Sequence, residues 1–302
     1  MNEESVSAVV VVFDTDPALL ESCLGSLRRA RSASARPLEV IVVDNSPHDR
    51  LAQQFGAEVD SWVSGHGNIG FGRAANLGIG MARHDNILLL NPDAELEPLA
   101  LDALVDEGAA HPDSLLCGWL GRGDRVQVDA YMHWWSSSGR LLRRRGYRRY
   151  LEAAKRNSSS VRVQKVSGGG LYARRELLLS LGPFDERFFL YGEDADLSVR
   201  ARQLGHALRA VPGAPITHHA ASSQDHHSAL IERARTDAAI RVSRYHLPLG
   251  SSLLTQLDLA LVTVVGILVA QVGSSGTLAS RRQRLGVLLK WGFKRDLKPF
   301  EP

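Results

Sequence analysis

The sequence predicts an α/β protein with a mostly parallel central sheet and helices on both of its faces. Two β-branched runs of strand length, residues 8–13 and 38–43, flank the segment "PALLESCLGSLRRAR", whose apolar residues recur at helical spacing. A third apolar run, residues 87–90, is again followed by a helical pattern in "LEPLALDALVDEGAAH". Strands that alternate with helices in this order form parallel sheets, because each helix returns the chain across one face of the sheet.

Length and composition limit the class of protein. The chain has 302 residues, 44% of them hydrophobic, which suffices for one large domain with appendages or for two smaller domains. Its formal net charge is +3, and basic residues concentrate in segments 139–156 and 281–298, which suit phosphate-bearing partners or a solvated face. Cys23 and Cys117 lack the spacing of a zinc site or a disulfide framework, and the acidic N-terminus is unlike a signal peptide. A cytoplasmic location is therefore expected.

Polar side chains follow each of the three predicted strands. The segments "VVFDTD", "VIVVDNS" and "ILLLNPD" end in these polar residues: Asp14, Asp16, Asp44, Asn45, Asn91 and Asp93. Open parallel sheets bind ligands at the carboxyl ends of their strands. We therefore expect the ligand site at this edge.

A glycine-rich segment, "GHGNIGFGRAANLGIGMA", spans residues 65–82. Glycine allows a backbone to approach a bulky ligand closely, and Asn68, Arg73 and Asn76 supply hydrogen-bond donors beside it. Residues 65–70 have GxGxxG spacing, but no strand is predicted directly before them, so the dinucleotide-binding fingerprint is not met. A glycine-tolerant turn leading into a helix that begins near Arg73 is the structural alternative.

An acidic segment, "FDERFFLYGEDADLSVRARQLGH", spans residues 184–206. Its apolar residues recur at helical spacing before a terminating glycine, which places Glu193, Asp194 and Asp196 at a helix N-terminus. Carboxylates are favoured there by the exposed N–H groups and the helix dipole in any protein. From the residues alone, helix capping and catalysis both remain open.

A helix is predicted at residues 174–181, and a short strand at 207–211 is followed by the doublet His218-His219 in or beside a loop.

Taken in order, these segments resemble the inverting nucleotide-sugar glycosyltransferases of the GT-A fold, the large group called family 2. The resemblance covers roughly residues 6–225 and rests on seven segments: "VVVVF", "VIVVDNS", "GNIGFGRAANLGI", "ILLLNPDAEL", "SGGGLYARRE", "GPFDERFFLYGEDADLSVRARQLGH" and "ITHHAASS". Within the family, the chain most resembles the bacterial rhamnosyltransferases of cell-wall and surface-polysaccharide assembly, which use dTDP-L-rhamnose. Galactofuranosyltransferases are nearby relatives.

The resemblance implies a domain organisation. Residues 1–225 would form the GT-A catalytic domain, with a Rossmann-like nucleotide-binding half and an arginine-rich insertion at 139–160. Residues 226–302 would form a C-terminal helical region that contacts the catalytic domain, a second subunit or the inner face of the cell membrane. The uncharged run at 259–272 is short for a membrane span, which needs about 20 apolar residues.

The residues and the resemblance together predict a donor site, a metal site and a catalytic base. The donor-binding residues would be Asp44, Asn45, Asn68, Gly70, Arg73, Asn76, Asn91, Asp93 and Gly169. Asp93 and His218 would hold Mg²⁺ or Mn²⁺, with His219 as the alternative ligand because the doublet leaves the register open. Asp194 would be the catalytic base, and Glu193 would orient the acceptor or a neighbouring side chain. The family's Asp-x-Asp motif appears here as Asn91-Pro92-Asp93, so one ligand charge is missing.

The implied reaction is transfer of L-rhamnose from dTDP-L-rhamnose to a lipid-linked or polysaccharide acceptor in bacterial envelope glycan synthesis. Donors such as UDP-galactofuranose remain an alternative, because the base-binding residues do not exclude a UDP-sugar. A non-catalytic nucleotide- or glycan-binding scaffold is the alternative from another class. A nucleic acid partner is not expected.

Overall fold

The computed structural model describes residues 4–122, 125–126, 148, 150–152, 155–156, 159–219, 228–270, 275–291, 297 and 300. Most of the predicted arginine-rich insertion, 139–160, and the segment 220–227 therefore lie outside the described residues. Within the described ranges, the chain forms one twisted mixed sheet, helices that flank it, and a C-terminal helical region.

The strands in chain order are β1 Val6–Val12, β2 Leu38–Asp44, β3 Ser61–Val63, β4 Asn86–Leu90, β5 Ala94–Leu96, β6 Ser114–Arg122, β7 Arg125–Val126, β8 Val161–Arg162, β9 Gly170–Arg174 and β10 Ala207–His218. They follow the spatial order β3-β2-β1-β4-β9-β6-β10-β5, with β7 beside β6 and β8 beside β10. Along that order six of eight strands share one direction, because β9 and β5 alone run antiparallel to their neighbours. The predicted mostly parallel sheet is confirmed.

The helices are α1 Pro17–Ala33, α2 Arg50–Phe55, α3 Phe71–Met81, α4 Ala100–Ala110, α5 Arg175–Ser180, α6 Glu193–Gln203, α7 Ser228–His246, α8 Leu249–Ala270 and α9 Ser275–Trp291, with a 3₁₀ turn at Gly56–Glu58. The helices predicted after the first and third apolar runs correspond to α1 and α4. The one predicted near Arg73 begins at Phe71, and the C-terminal helical region is confirmed. The domain boundary at residue 225 stays a prediction.

Every side chain of β1, β2 and β4 is buried. Alternate residues of β1 enter two separate hydrophobic clusters: Val10 packs with Leu24 of α1, whereas Val9 packs with Ile79 of α3. Strands covered on both faces are apolar at successive positions, because neither face meets water. This burial explains why these three strands were visible as continuous apolar runs.

The sequence predicted β1, β2, β4 and the start of β10, but none of the other strands of the sheet. Strand β9 lies antiparallel between β4 and β6, whereas its sequence indicated only a glycine cluster before a helix. Strand β10 continues through His218, well past the predicted end at Val211. Its pairing with β6 shifts register between Val211 and Pro215, where a bulge accommodates two prolines that cannot donate to the ladder. The longer strand carries His218 to a position opposite Ala94 of β5.

Candidate active site

The ends of β1, β2 and β4 meet at one edge of the sheet. Val12 lies opposite Asp44 in the β1–β2 pairing, and Val10 lies opposite Leu90 in the β1–β4 pairing. Because these strands are parallel and in register, the polar residues that follow them are neighbours. The structure therefore brings together the segments beginning at Asp44 and Asn91, as the sequence predicted.

Asp44 and Asn45 present two buried acceptor atoms at this edge. Asp44 Oδ1 accepts a hydrogen bond from Ser46 N at 2.8 Å, while Asp44 Oδ2 and Asn45 Oδ1 have no partner within the described part of the chain. Burial raises the pKa of Asp44 above its ordinary value. A buried acceptor without a partner costs about 1–3 kcal/mol, so both atoms suit a ligand that donates hydrogen bonds.

The glycine-rich segment joins this edge to the acidic segment. Asn45 Nδ2 donates to Gly70 O at 3.2 Å, and Phe71 N donates to Phe189 O at 2.9 Å. Gly70 has φ +89°, and a Cβ there would lie 2.4 Å from the carbonyl oxygen of Phe189. Only glycine fits this close approach, which seats the N-terminus of α3 against the loop that precedes α6.

Three predicted donor-site residues of this segment have partners within the protein. Asn68 Oδ1 accepts from Gly70 N at 3.2 Å, and exposed Arg73 lies 3.6 Å from exposed Glu186. Asn76 donates to Phe184 O at 2.8 Å and accepts from Phe184 N at 3.0 Å. Both ends of the Asn76 amide are thus used to hold α3 against the acidic segment, so it positions the site. Direct donor contacts for these three residues stay predictions.

Asp93 and His218 form the pair predicted to bind metal. Asp93 Oδ1 lies 3.1 Å from His218 Nε2, and Asn91 Nδ2 lies 3.2 Å from the same nitrogen. His219 instead contacts Glu95, with 2.9 Å between His219 Nε2 and Glu95 Oε1. The strand geometry thus separates the two histidines of the doublet and favours His218 as the ligand.

The donor set at Asp93 and His218 fits a divalent cation that also binds a diphosphate. Two ligands at right angles around an octahedral Mg²⁺ or Mn²⁺ lie about 3 Å apart, close to the spacing found here. Among the described residues, no group of three or more His, Cys, Asp or Glu side chains forms a metal site. The remaining coordination positions would therefore belong to ligand oxygens and water.

Asp194 is held by groups that precede β9. Asp194 Oδ2 lies 2.6 Å from Lys165 Nζ and accepts from Gly168 N at 3.4 Å. A Cβ at neighbouring Gly169 would lie 2.8 Å from Asn91 Nδ2, so the backbone of this segment connects Asp194 to the Asn91–His218 contact. The sequence did not single out Lys165, because a lysine in a polar stretch carries no local signal of an ion pair.

Glu193 differs from Asp194 in its environment. Its side chain is buried, and its Oε2 has no partner among the described residues. Burial, reinforced by the charge of Asp194, raises the pKa of Glu193 to about 8, with Lys165 acting in the opposite direction. The raised pKa favours the protonated form of Glu193, which can donate a hydrogen bond, and Asp194 is the candidate base.

Comparison with known proteins identifies the family of the chain. The sequence profile described as Glycosyl transferase family 2 matches residues 7–177, more than half of the chain. The chain belongs to glycosyl transferase family 2. The protein is thus an enzyme that transfers a sugar from a donor to an acceptor, and the scaffold alternative is set aside.

The individual proteins that resemble this glycosyltransferase share less than 30% of its sequence. The N-acetylglucosaminyl-diphospho-decaprenol L-rhamnosyltransferases of two Mycobacterium tuberculosis strains, CDC 1551 and H37Rv, are each 29% identical over 240 residues, which cover 71% of this chain and 76% of theirs. A crystal structure of GalNAc-T7 with UDP, GalNAc and Mn²⁺ matches at a TM-score of 0.57 and 16% identity, covering 79% of this chain and 47% of that one. A crystal structure of S. aureus TarS matches at a TM-score of 0.54 and 14% identity, covering 85% of this chain and 42% of that one.

This chain spans less than half the length of each of these two structures. Both likenesses support the GT-A fold, which is confirmed.

Asp196 does not act as the helix cap that its position suggested. The N-cap residue of α6 is Gly192, and no side chain caps this end. Asp196 is buried, with Oδ1 2.7 Å from His246 Nε2 of α7 and Oδ2 2.7 Å from Arg200 Nε. In this transferase Asp196 therefore links helix α6, which carries Glu193 and Asp194, to the C-terminal region.

Helix α7 covers the acidic segment at two further points. The guanidinium of Arg235 lies 5.0 Å from the ring centre of Tyr191, and the Phe188 and Tyr245 rings meet edge to face at 5.8 Å. Tyr191 has a φ of +66°, an uncommon conformation for a residue with a side chain. Sequence reasoning missed this role of α7, since the two segments lie about fifty positions apart.

The buried Glu193 predicts a specific pH dependence of stability. Its pKa of about 8 lies above the ordinary 4.5, so the unfolded chain loses this proton at lower pH than the folded enzyme does. The stability contributed by protonated Glu193 is complete below about pH 4.5 and is lost as the pH rises towards 8. Glu193→Gln should reduce this loss by at least ~1 kcal/mol, because one pKa unit corresponds to about 1.4 kcal/mol.

Urea unfolding of both proteins at about pH 5 and about pH 8.5 measures the effect. An identical pH dependence in wild type and Glu193→Gln would contradict the raised pKa.

Proposed function

We propose that this glycosyltransferase moves L-rhamnose from dTDP-L-rhamnose to a lipid-linked saccharide acceptor, with inversion at the sugar's anomeric carbon. The observation that carries the proposal is the placement of buried acceptors, a cation-binding pair and a fixed carboxylate along one stretch of the sheet edge. The choice of sugar and acceptor is supported by the mycobacterial relatives, whose name specifies L-rhamnose transfer and a diphospho-decaprenol acceptor.

Asp44 and Asn45 would recognise the nucleotide base. The imide N–H of a thymine can donate to Asp44 Oδ2, which is buried and otherwise without a partner in the described chain. Pairing of this atom with the base removes its desolvation penalty, and the enclosed site strengthens the hydrogen bond. Uracil carries the same imide, so this contact selects a pyrimidine and leaves the choice of dTDP or UDP to other contacts.

Asp194 would accept the proton of the acceptor hydroxyl. As the acceptor oxygen bonds to the anomeric carbon, the bond from that carbon to the diphosphate breaks, the proton passes to Asp194, and dTDP leaves. Lys165 and the Gly168 N–H hold the carboxylate in one orientation, which is what a general base requires. Asp93 and His218 would hold Mg²⁺ or Mn²⁺, which when bound stabilises negative charge on the leaving diphosphate.

The donor preference tests this function. Full-length enzyme would be supplied with dTDP-L-rhamnose, UDP-galactofuranose or UDP-N-acetylglucosamine, with and without a polyprenyl-diphospho-N-acetylglucosamine acceptor. We expect acceptor-dependent release of dTDP from the rhamnose donor and little nucleotide release from the others. Faster transfer from a UDP-sugar would overturn the assigned donor, and no transfer from any donor would overturn the proposed reaction.

Replacement of Asp44 separates base recognition from catalysis. Asp44→Asn should weaken dTDP binding by at least ~10-fold, because a hydrogen bond to a charged acceptor contributes about 1.5–3 kcal/mol. Calorimetry with dTDP measures the change. Asp113→Asn, at an exposed position in the turn before β6, is the matched control and should bind like wild type. Unchanged dTDP affinity in Asp44→Asn would remove this residue from the base-binding site.

A further inference from the structure

Helix α8 buries several polar side chains and exposes a row of large apolar ones. Ser252, Gln256 and Thr263 are each about 1% exposed. Seven large apolar residues of the helix are instead 40% to 68% exposed: Leu249, Leu254, Leu257, Leu261, Val264, Val265 and Leu268. A helix on the surface of a soluble domain normally shows the opposite arrangement. The outward residues of α8 from Leu254 to Leu268 are called the apolar stripe below.

The orientation of α8 is held by specific contacts. Gln256 Nε2 donates to Ser252 Oγ at 3.1 Å, and Ser252 Oγ lies 3.3 Å from Ser243 Oγ of α7. Leu259 packs in a small buried cluster with Ile240 of α7 and residues of α9. If α8 rotated to bury its leucines, its contacts with α7 would break, and the side chain of Ser252 would lose its hydrogen-bond partner Ser243. The outward stripe is therefore a feature of the folded state.

The apolar stripe is continuous along the helix. Its members recur at intervals of three and four residues, so they lie on one side of α8 over about 20 Å. The helix contains one charged residue, Asp258, which is partly buried and lies off the stripe. The segment Leu249–Leu268 has a mean hydropathy of 1.7 and is long and apolar enough to cross a membrane. The uncharged run recognised in the sequence, 259–272, was shorter than a membrane span. Continuous apolar surface of this kind marks an interaction site.

The charges beside the apolar stripe indicate its partner. Helix α9, which packs against α8, contains four basic residues and no acidic one. Arg281 donates to Gly266 O within α8, and Arg282 and Lys290 are exposed, together with Leu289. An apolar face next to a basic helix, with Arg281 at its edge, suits an anionic lipid surface. A second copy of this chain would instead bring another basic helix towards the first, and like charges oppose such pairing.

We propose that the apolar stripe docks α8 in the plane of an anionic lipid bilayer. The opposite side of α8 packs against α7 and α9 through polar and apolar contacts, so the helix lies on the membrane and does not cross it. The leucines would enter the boundary between headgroups and acyl chains, and α9 would contribute electrostatic attraction. This surface is separate from the catalytic residues, and its existence does not depend on the proposed sugar donor.

Docking through α8 has a consequence for the proposed reaction, and this step rests on the proposed lipid-linked acceptor. Helix α7 precedes α8 directly and contacts the catalytic segment through His246–Asp196 and Arg235–Tyr191. A membrane-bound α8 would therefore hold the segment that contains Asp194 near the lipid surface. An acceptor anchored by a polyprenyl chain would then meet the base without leaving the bilayer.

Vesicle flotation of the full-length protein tests the docking. The probes are phosphatidylcholine vesicles with and without phosphatidylglycerol, at low and high salt. We expect wild type to float with the anionic vesicles, less so at high salt, because salt screens the attraction of the basic residues. The triple variant Leu254→Gln, Leu257→Gln, Leu261→Gln should show at least ~10-fold lower partitioning, because it removes apolar area from the membrane contact.

The matched control is the double variant Leu99→Gln, Leu204→Gln. Both leucines are as exposed as those of the stripe, at 70% and 67%, but lie on the catalytic domain, so this variant should float like wild type. Circular dichroism and dTDP binding verify that every variant is folded. Flotation needs no sugar transfer, so failure of docking and failure of the proposed reaction are distinguishable.

Three outcomes would overturn the proposal. The triple variant could float as well as wild type, which would exclude the stripe. Light scattering could show a wild-type dimer that becomes monomeric in the triple variant without any vesicle binding, which would assign the stripe to a second copy. Resistance of vesicle-bound protein to alkaline carbonate extraction would indicate that α8 crosses the bilayer.

Discussion

Asp194→Asn is expected to lower the rate of sugar transfer by at least ~10²-fold while dTDP binding stays close to wild type. The substitution keeps the size of the side chain but removes the basic oxygen that would take the acceptor's proton. Asp194 is the carboxylate fixed by Lys165 and Gly168, whereas burial raises the pKa of its neighbour Glu193 and favours the protonated form of that carboxyl. Product formation at saturating donor and acceptor measures the loss, and calorimetry measures dTDP binding.

Glu193→Gln is the matched control for this experiment. The amide N–H of glutamine can donate a hydrogen bond where the O–H of a protonated carboxyl would. Transfer near pH 7 should therefore fall by less than ~10-fold. The opposite result, with Asp194→Asn active and Glu193→Gln inactive, would exchange the roles of the two residues. Full activity in both variants would remove the acidic segment from the chemistry and leave it a structural helix N-terminus.

Asp93→Ala and His218→Ala are expected to abolish cation-dependent donor binding and to reduce transfer by at least ~10²-fold. The two side chains lie 3.1 Å apart and supply the oxygen and nitrogen ligands of the predicted site. Loss of either leaves one protein ligand, which is too few to retain a hard cation against water. Titration of Mn²⁺ into enzyme with dTDP, followed by electron paramagnetic resonance, reports binding independently of activity.

The neighbouring histidine, His219, provides a control for the metal site. His219→Ala removes a histidine that contacts Glu95 and should retain Mn²⁺ binding and most of the transfer activity. If His219→Ala and His218→Ala lost Mn²⁺ binding equally, the register of the doublet would be wrong. Full transfer by wild type in excess chelator would exclude the cation altogether.

The sequence predicted the parts of the fold that depend on local pattern and burial. Strands β1, β2 and β4 are covered on both faces, so each needs successive apolar residues, and α1 and α4 need apolar residues at helical spacing. The polar residues at the strand ends were predictable for another reason: open parallel sheets bind ligands at the carboxyl ends of their strands. Strand β9 was not predictable, since nothing local indicates that a chain segment will insert antiparallel between two distant strands.

By itself, then, the sequence determined the α/β class, the sheet edge at which the candidate site lies and the polar residues available there. Only the tertiary structure decided how those residues are used. His218 meets Asn91 across 127 positions, Asp194 meets Gly168 across 26, and Asp196 meets His246 across 50. The outward leucines of α8 were likewise decided by the packing of its polar side against α7. Local pattern encodes burial and backbone preference, whereas pairing between distant side chains depends on where the whole fold places each element.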